Sequence, residues 1–373
     1  MAVAVIALAI GAAPCAAATD GAQRDSQGRV TADGSVADRL ARVQRALFSG
    51  AANPRDAIRE LQAILAIDAQ SAQAHVLLGV AYRALGTQEF IAEAVAEFRQ
   101  ALAIDPNQPP ARLYLAYCYR DLGRLDRAKE ELQTALAQAP GNPQLLALLG
   151  DIERQLRNPS RALELERQAL AADPALLQAR YYAALALLEL DHRDEGTREL
   201  EQVIRAGVTE PDAYLALGAA YLEVHRLREA IDVLTRGTQI DSSRPALRIQ
   251  LARALRESGA LAEADLQLQR AATGRTGSRL DEQQLDLDLA VEQGLVKLGQ
   301  GQLDAAARTL QKALAMEPDN GPANRGLAQV YLRQGAYGLA ATHAARAEKA
   351  GFPLSEAERA LLRQKGGGTC ASW

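Results

Sequence analysis

Residues Arg112 to Pro140 read R-L-Y-L-A-Y-C-Y-R-D-L-G-R-L-D-R-A-K-E-E-L-Q-T-A-L-A-Q-A-P, and the fold is decided in this stretch. Leu115 and Tyr119 lie four apart, while Leu132, Ala135 and Leu136 recur at spacings of three and four. Each half therefore gathers its apolar residues on one face of a helix. Between the halves, Leu122-Gly123-Arg124 reads as a turn, because glycine accepts the left-handed conformation that closes a helix. Pro140 stops the second helix, since proline lacks the N–H that a continuing helix needs. The stretch predicts a helical hairpin.

Outward from it, the same chemistry returns. Alignment on small residues and prolines gives nine segments starting near residues 38, 72, 109, 143, 177, 211, 245, 287 and 321; six of the eight intervals are 34 residues, and the other two, 37 and 42, contain insertions. At the eighth position stand Gly79, Ala116, Gly150, Ala184, Gly218, Ala252, Gly294 and Ala328. At the twentieth stand Ala57, Ala94, Ala128, Ala162, Gly196, Ala230, Ala264, Ala306 and Ala340. Small residues there let two helix backbones approach, so both positions are expected contact points of paired helices. Leu78, Leu149, Leu217, Leu251 and Leu327 repeat Leu115; Phe98, Leu200, Leu234, Leu268 and Leu310 repeat Leu132; Pro106, Pro174 and Pro318 repeat Pro140.

This pattern, from Asp38 to Phe352, resembles the tetratricopeptide repeat family. The resemblance implies an all-α fold, a right-handed superhelical α-solenoid of about nine helical hairpins closed by a C-terminal capping helix. A hairpin cannot bury its own apolar face, so stability is expected from stacking on neighbours. Some residues depart from the family pattern. Its early Trp is absent, Glu153 and Lys297 replace an expected aromatic, and Gly196 and Gly237 are expected to weaken the second helices of the fifth and sixth units.

The ends and insertions carry their own expectations. Arg45 occupies the small position of the first unit, which is expected to be degenerate with a polar outer face. Ser355-Glu356-Ala357-Glu358 reads as a capping box opening a helix within residues 353–365, with Leu361 and Leu362 available to cover the last hairpin. Residues 366–373 are Gly-rich and expected to be disordered. Three extra residues between Gly86 and Ala94 bring in Phe90 and Ile91, expected to extend the hairpin core rather than to form a docking knob. Eight more between Ala272 and Leu285 include Gly274, Gly277 and Ser278 and suggest a hinge.

Composition narrows the function classes. The chain has 373 residues, with 48% hydrophobic, 24% charged and 4% aromatic, which suits a helical fold and excludes disorder throughout. Forty-two basic residues against 46 acidic ones, without a block of like charge, offer no basic face for nucleic acid. Three cysteines and four scattered histidines present no disulfide framework, no metal-ligand spacing and no cofactor motif, so neither catalysis nor a cofactor is expected. Cys118 reads as a small buried hydrophobe, His75 as a core or groove-edge residue, and Cys370 as an unstructured thiol.

Residues 1–18 read as a signal peptide. No polar side chain interrupts Met1 to Ile10, and Ala16-Ala17-Ala18 offers a cleavage site before Thr19. No Lys or Arg precedes the apolar core, which a start assigned too far downstream would explain. Pro14 before Cys15 departs from lipidation signals, so lipidation is not expected; an uncleaved anchor is the alternative. Residues 19–37 read as a flexible leader. A periplasmic or secreted location is expected, with membrane contact only through this N-terminal stretch.

Function is expected on the face that stacking leaves free. Offsets 2, 5, 9 and 12 of each first helix fall together, and the resemblance places the concave groove there. That face carries Arg83, Leu113, Tyr117, Arg120, Asp151, Arg154, Tyr181, Leu215, Arg253, Arg256, Arg325 and Arg333, with Tyr114 and Tyr182 beside it. Arginines bond directionally to carboxylates and tyrosines give rigid contact area, which suits an extended peptide with acidic groups. Alternatively Asp121, Glu189, Glu223 and Glu257 neutralise neighbouring arginines as ordinary surface pairs. The paired Lys and Asn with which some family members clamp a C-terminal carboxylate have no counterpart. The chain is thus expected to be a non-catalytic protein-interaction scaffold of the cell envelope; the alternative is a glycan-binding accessory of polysaccharide export, and self-association through the end hairpins is a third expectation.

Overall fold

The computed structural model describes residues 35–273 and 279–365. The expected signal peptide with Cys15, nearly all of the leader, the glycines of the second insertion and the C-terminal tail with Cys370 lie outside the described residues. Within them the chain forms nineteen α-helices and no strand, in two compact units, the first ending at Gly196 and the second beginning at Thr197.

In the first unit α1 (Val36–Phe48) and α2 (Pro54–Ile67) are followed by the hairpins α3 (Ala72–Arg83) with α4 (Gln88–Ile104), α5 (Pro109–Asp121) with α6 (Leu125–Gln138), and α7 (Pro143–Gln155) with α8 (Pro159–Ala172). Then come α9 (Leu177–Glu189) and α10 (Arg193–Arg205), the division between the units falling within α10. In the second, α11 (Pro211–Glu223) pairs with α12 (Leu227–Ile240), α13 (Pro245–Glu257) with α14 (Leu261–Thr273), α15 (Arg279–Gly299) with α16 (Leu303–Met316), and α17 (Gly321–Arg333) with α18 (Tyr337–Lys349); α19 (Glu356–Lys365) closes the run. Short polar caps start several helices: the side chains of Asn53, Ser71, Asn142 and Asn320 accept from backbone N–H groups one turn in, and proline opens α2, α5, α7, α8, α11 and α13.

The hairpins close on a recurring pair. A Cβ added to Gly79 would come within 2.8 Å of the Phe98 ring, and one on Gly294 within 2.6 Å of Leu310; Gly218 faces Leu234 in the same way. The eighth residue of these units must be small because the large side chain at the twenty-fourth lies flat against it. The fourth unit breaks the pattern. There Gly150 faces the carboxyl of Glu166, which is fully buried and has no hydrogen-bond partner for either oxygen.

Turns between paired helices use one left-handed residue. It is glycine at Gly86, Gly123, Gly259, Gly301 and Gly335, but Arg157, Asp191 and His225 hold the same conformation at φ 66°, 64° and 56°. Non-glycine residues are strained there, so these three turns carry a cost that the others avoid.

Several sequence readings change. Gly237 is a contact point rather than a weak spot, since a Cβ there would meet Leu247 at 2.8 Å and Tyr214 at 2.9 Å; Gly196 likewise faces Leu188 at 2.8 Å. Arg45 does not enter the α1–α2 contact: α1 buries Leu40, Val43 and Leu47 and leaves Arg45 exposed. Of the two leucines expected to cover the last hairpin, Leu362 is buried and Leu361 is exposed, because only the former faces α17 and α18. The Ser355–Glu358 capping box forms, with Ser355 N–H donating to Glu358 at 2.9 Å. The three extra residues of the first insertion lengthen α4: Phe90 stacks on Tyr82 with ring centroids 6.1 Å apart, and Ile91 is buried. Part of the second insertion is helix, as α15 runs over 21 residues.

Candidate functional site

The first helices of the first unit bring Arg83, Tyr117, Arg120, Asp151 and Arg154 together. Arg83 Nε lies 2.9 Å from Asp121. Arg120 reaches Asp121 at 3.0 Å and Asp151 at 3.3 Å, and Arg154 reaches Asp151 at 2.8 Å and Glu189 at 2.6 Å. The Tyr117 ring is held between two guanidiniums, Arg83 at 4.9 Å and Arg120 at 5.1 Å from its centroid. Arg120 also donates to the Tyr182 hydroxyl at 3.0 Å, and Gln178 Nε2 donates to the hydroxyls of Tyr117 and Tyr182 at 3.0 and 3.1 Å. Three arginines thus meet three carboxylates in a closed network. Asp151, 2% exposed, is tolerated in the interior because two guanidiniums face it.

Tyr114 is not on this face. It is buried, stacks on Phe98 at 5.7 Å, and burial pushes its hydroxyl above the usual tyrosine range. Tyr181 packs against Tyr182 with centroids 5.5 Å apart. Cys118 is fully buried, and burial pushes its thiol up to about 12. His75 sits between Glu97, 2.6 Å from Nδ1, and the Ala69 carbonyl, and Glu153 is held by Lys129 and Asn158.

In the second unit the groove-side residues stay more open. Arg253, Arg256 and Arg325 border a cleft of about 430 Å³ formed by α13, α15 and α17. Arg256 pairs with Glu292 at 2.8 Å and Glu257 at 3.2 Å. Among the described residues Arg253 has one partner, Glu257 at 3.2 Å, and its side chain is 43% exposed, against 14–20% for Arg83, Arg120 and Arg154. Arg325 is exposed; the field it exerts on Glu358 is its one recorded interaction among the described residues. Arg333 turns away from the cleft and donates to the Leu298 carbonyl at 3.0 Å.

The cleft also holds residues the sequence reading passed over. Gln250 Oε1 is buried without a hydrogen-bond partner. Asp288 accepts from Gln284, and burial raises its carboxyl above the ordinary range. Phe352, 42% exposed, leans its ring against Gly321. Asp288 and Gln178 both stand at offset 2, on the face the periodicity had already marked, so their signal was present. Phe352 stands at the end of the last repeat, off that face, and gave none.

The geometry can be set beside known proteins. Family models of the tetratricopeptide repeat match residues 47–109, 90–152 and 291–355. Cellulose synthase operon protein C of Xanthomonas axonopodis pv. citri is 28% identical over 253 residues, 62% of this chain and 15% of that protein, so the chain spans a small part of this relative's length. Among solved structures, the APC/C hetero-tetramer Cut9-Hcn1 gives a TM-score of 0.64 at 17% identity, covering 83% of this chain and 58% of that one, a likeness of fold. A thermophilic tetratricopeptide repeat protein from Thermus thermophilus is 26% identical, with a TM-score of 0.44 over 50% of this chain and 99% of that one. Repeat spacing, hairpin packing and family matches agree: the chain carries tetratricopeptide repeats, matched by the family models over residues 47–152 and 291–355.

Proposed function

We propose that this protein is a non-catalytic scaffold of the cell envelope that holds a partner protein or peptide on the groove side of its first helices. The observation that supports this most is how that face is built: arginines and tyrosines from successive first helices share it on rigid elements, closed by Asp121, Asp151 and Glu189 in the first unit and open at Arg253 and Arg325 in the second. Pre-ordered side chains lose little entropy on binding, which favours recognition of an extended segment. The envelope location rests on residues 1–18. No described helix is long and apolar enough to cross a membrane. Crosslinking in the native host, followed by identification of the trapped partner, tests the scaffold role; an export reporter fused to residues 1–18 tests the location, and cytoplasmic retention would overturn it.

A second reading draws on the relative described as cellulose synthase operon protein C. In it the chain serves polysaccharide synthesis or export, either through a partner protein or by holding the glycan itself. Retention of polysaccharide with no protein partner would favour the glycan over the peptide.

A further inference from the structure

We propose that the cleft between α13, α15 and α17 is the docking site of an extended peptide from another protein. The peptide sets an Asp or Glu side chain against Arg253 and Arg325 and an apolar side chain on Phe352. The inference rests on the scaffold reading and adds to it which groove segment is open and what chemistry fills it.

The two units differ in what their arginines have left to give. In the first, Arg83, Arg120 and Arg154 are covered and each already meets a carboxylate. An acidic ligand would have to displace Asp121, Asp151 or Glu189, and freeing the buried Asp151 would strand a charge. In the second unit Arg256 takes up Glu292 and shares Glu257. Arg253 keeps, among the described residues, one half-buried pairing four residues along its own helix, to the Glu257 that Arg256 also takes, and Arg325 has no ion pair among those residues. These two guanidiniums are the available charge of the cleft.

The rest of the lining agrees. Of the three carboxylates that line the cleft, Glu257 and Glu292 are engaged by Arg256, and Asp288 accepts from Gln284, with burial raising its carboxyl above the ordinary range. Gln250 also lines the cleft, with its Oε1 buried and no hydrogen-bond partner for that atom among the described residues. Phe352, Pro322, Val291 and Leu295 supply an apolar wall. About 430 Å³ is within the range of small-ligand sites and gives room for a few side chains of a bound chain.

The test is a randomised peptide library panned against the full chain, followed by fluorescence-polarisation titration of the selected peptides. Peptides pairing an acidic with an apolar residue should be enriched, and their affinity should fall with added salt. Arg253→Ser with Arg325→Ser should weaken them about ten- to a hundredfold, the scale of one or two charge-assisted hydrogen bonds. Arg228→Ser with Arg236→Ser, outside the cleft, should leave affinity unchanged, and circular dichroism should show equal helicity in all forms. A Phe352→Trp reporter should change its emission on titration. Enrichment of basic or uncharged peptides, or binding indifferent to Arg253 and Arg325, overturns the cleft assignment while leaving the scaffold intact. Failure of every peptide class to bind overturns the docking of an extended peptide here, whereas the scaffold reading falls only if crosslinking in the native host traps no partner.

Discussion

Replacing Glu166 by Leu should make the protein more stable, and the gain should grow with pH. Glu166 stands where Leu132, Leu200, Leu234, Leu268 and Leu310 stand in other units. It is fully buried against Gly150, with neither carboxyl oxygen bonded. Burial, reinforced by Asp151 and partly offset by Arg154, raises its pKa well above the ordinary carboxyl value of 4.5. The folded state therefore holds this proton more tightly than the unfolded chain. Stability contributed by the protonated form is present in full below the unfolded value and declines as pH rises toward the folded value, by up to about 1.4 kcal/mol per pH unit within that window. Above the window the loss is complete and constant. Removing an unpartnered carboxyl recovers about 1–3 kcal/mol even in its neutral form. Leucine fits, since Leu234 against Gly218 and Leu310 against Gly294 are the same pair.

Thermal and urea melts by circular dichroism at pH 5 and pH 8 would read this. Glu166→Leu should gain about 2 kcal/mol or more at pH 8, a rise of several degrees in midpoint, and less at pH 5. Glu166→Gln should flatten the pH dependence without the full gain. A wild type no more pH-sensitive than Glu166→Leu over this range, or a destabilised Glu166→Leu, would refute the reasoning.

Other substitutions probe the turns and the core. His225→Gly should stabilise by about 0.5–1 kcal/mol, since glycine takes the left-handed turn conformation without strain, and Arg157→Gly should do the same while Asp191→Gly gives less; denaturant midpoints report each. Gly218→Val should cost about 1–3 kcal/mol by driving a side chain into Leu234, measurable in the same melts. Leu115→Ala, at a site 1% exposed, should cost about 2–5 kcal/mol. With Cys15 and Cys370 changed to Ser, Cys118 should resist a thiol reagent in the native protein and react at the rate of local or global opening, because it is buried and its thiol is pushed up to about 12; prompt labelling would contradict its placement.

What the sequence determined by itself was the hairpin and its repetition. A 34-residue return of small, large and proline positions is a local signal, each element carried by side chains three and four residues apart, and it was enough to place Gly123 in a turn and Leu115 in the core. It also put Arg83, Arg120 and Arg154 on one face, where the structure brings them together, because periodicity fixes the direction of a side chain. Periodicity does not say what a side chain meets on the next hairpin. Only the tertiary structure decided that Asp121, Asp151 and Glu189 close the arginines of the first unit while Arg253 and Arg325 stay available in the second. It also showed that Tyr114 belongs to the core, that Gly237 is a close contact, and that Glu166 buries an unpaired acid where its counterparts bury leucine. Apart from the pairs within one helix, such as Arg154 with Asp151 and Arg253 with Glu257, these depend on partners ten or more residues away on another helix. Whether the gap between two helices holds a methyl group, a carboxylate or an open cleft is set by packing, to which spacing along one chain is blind.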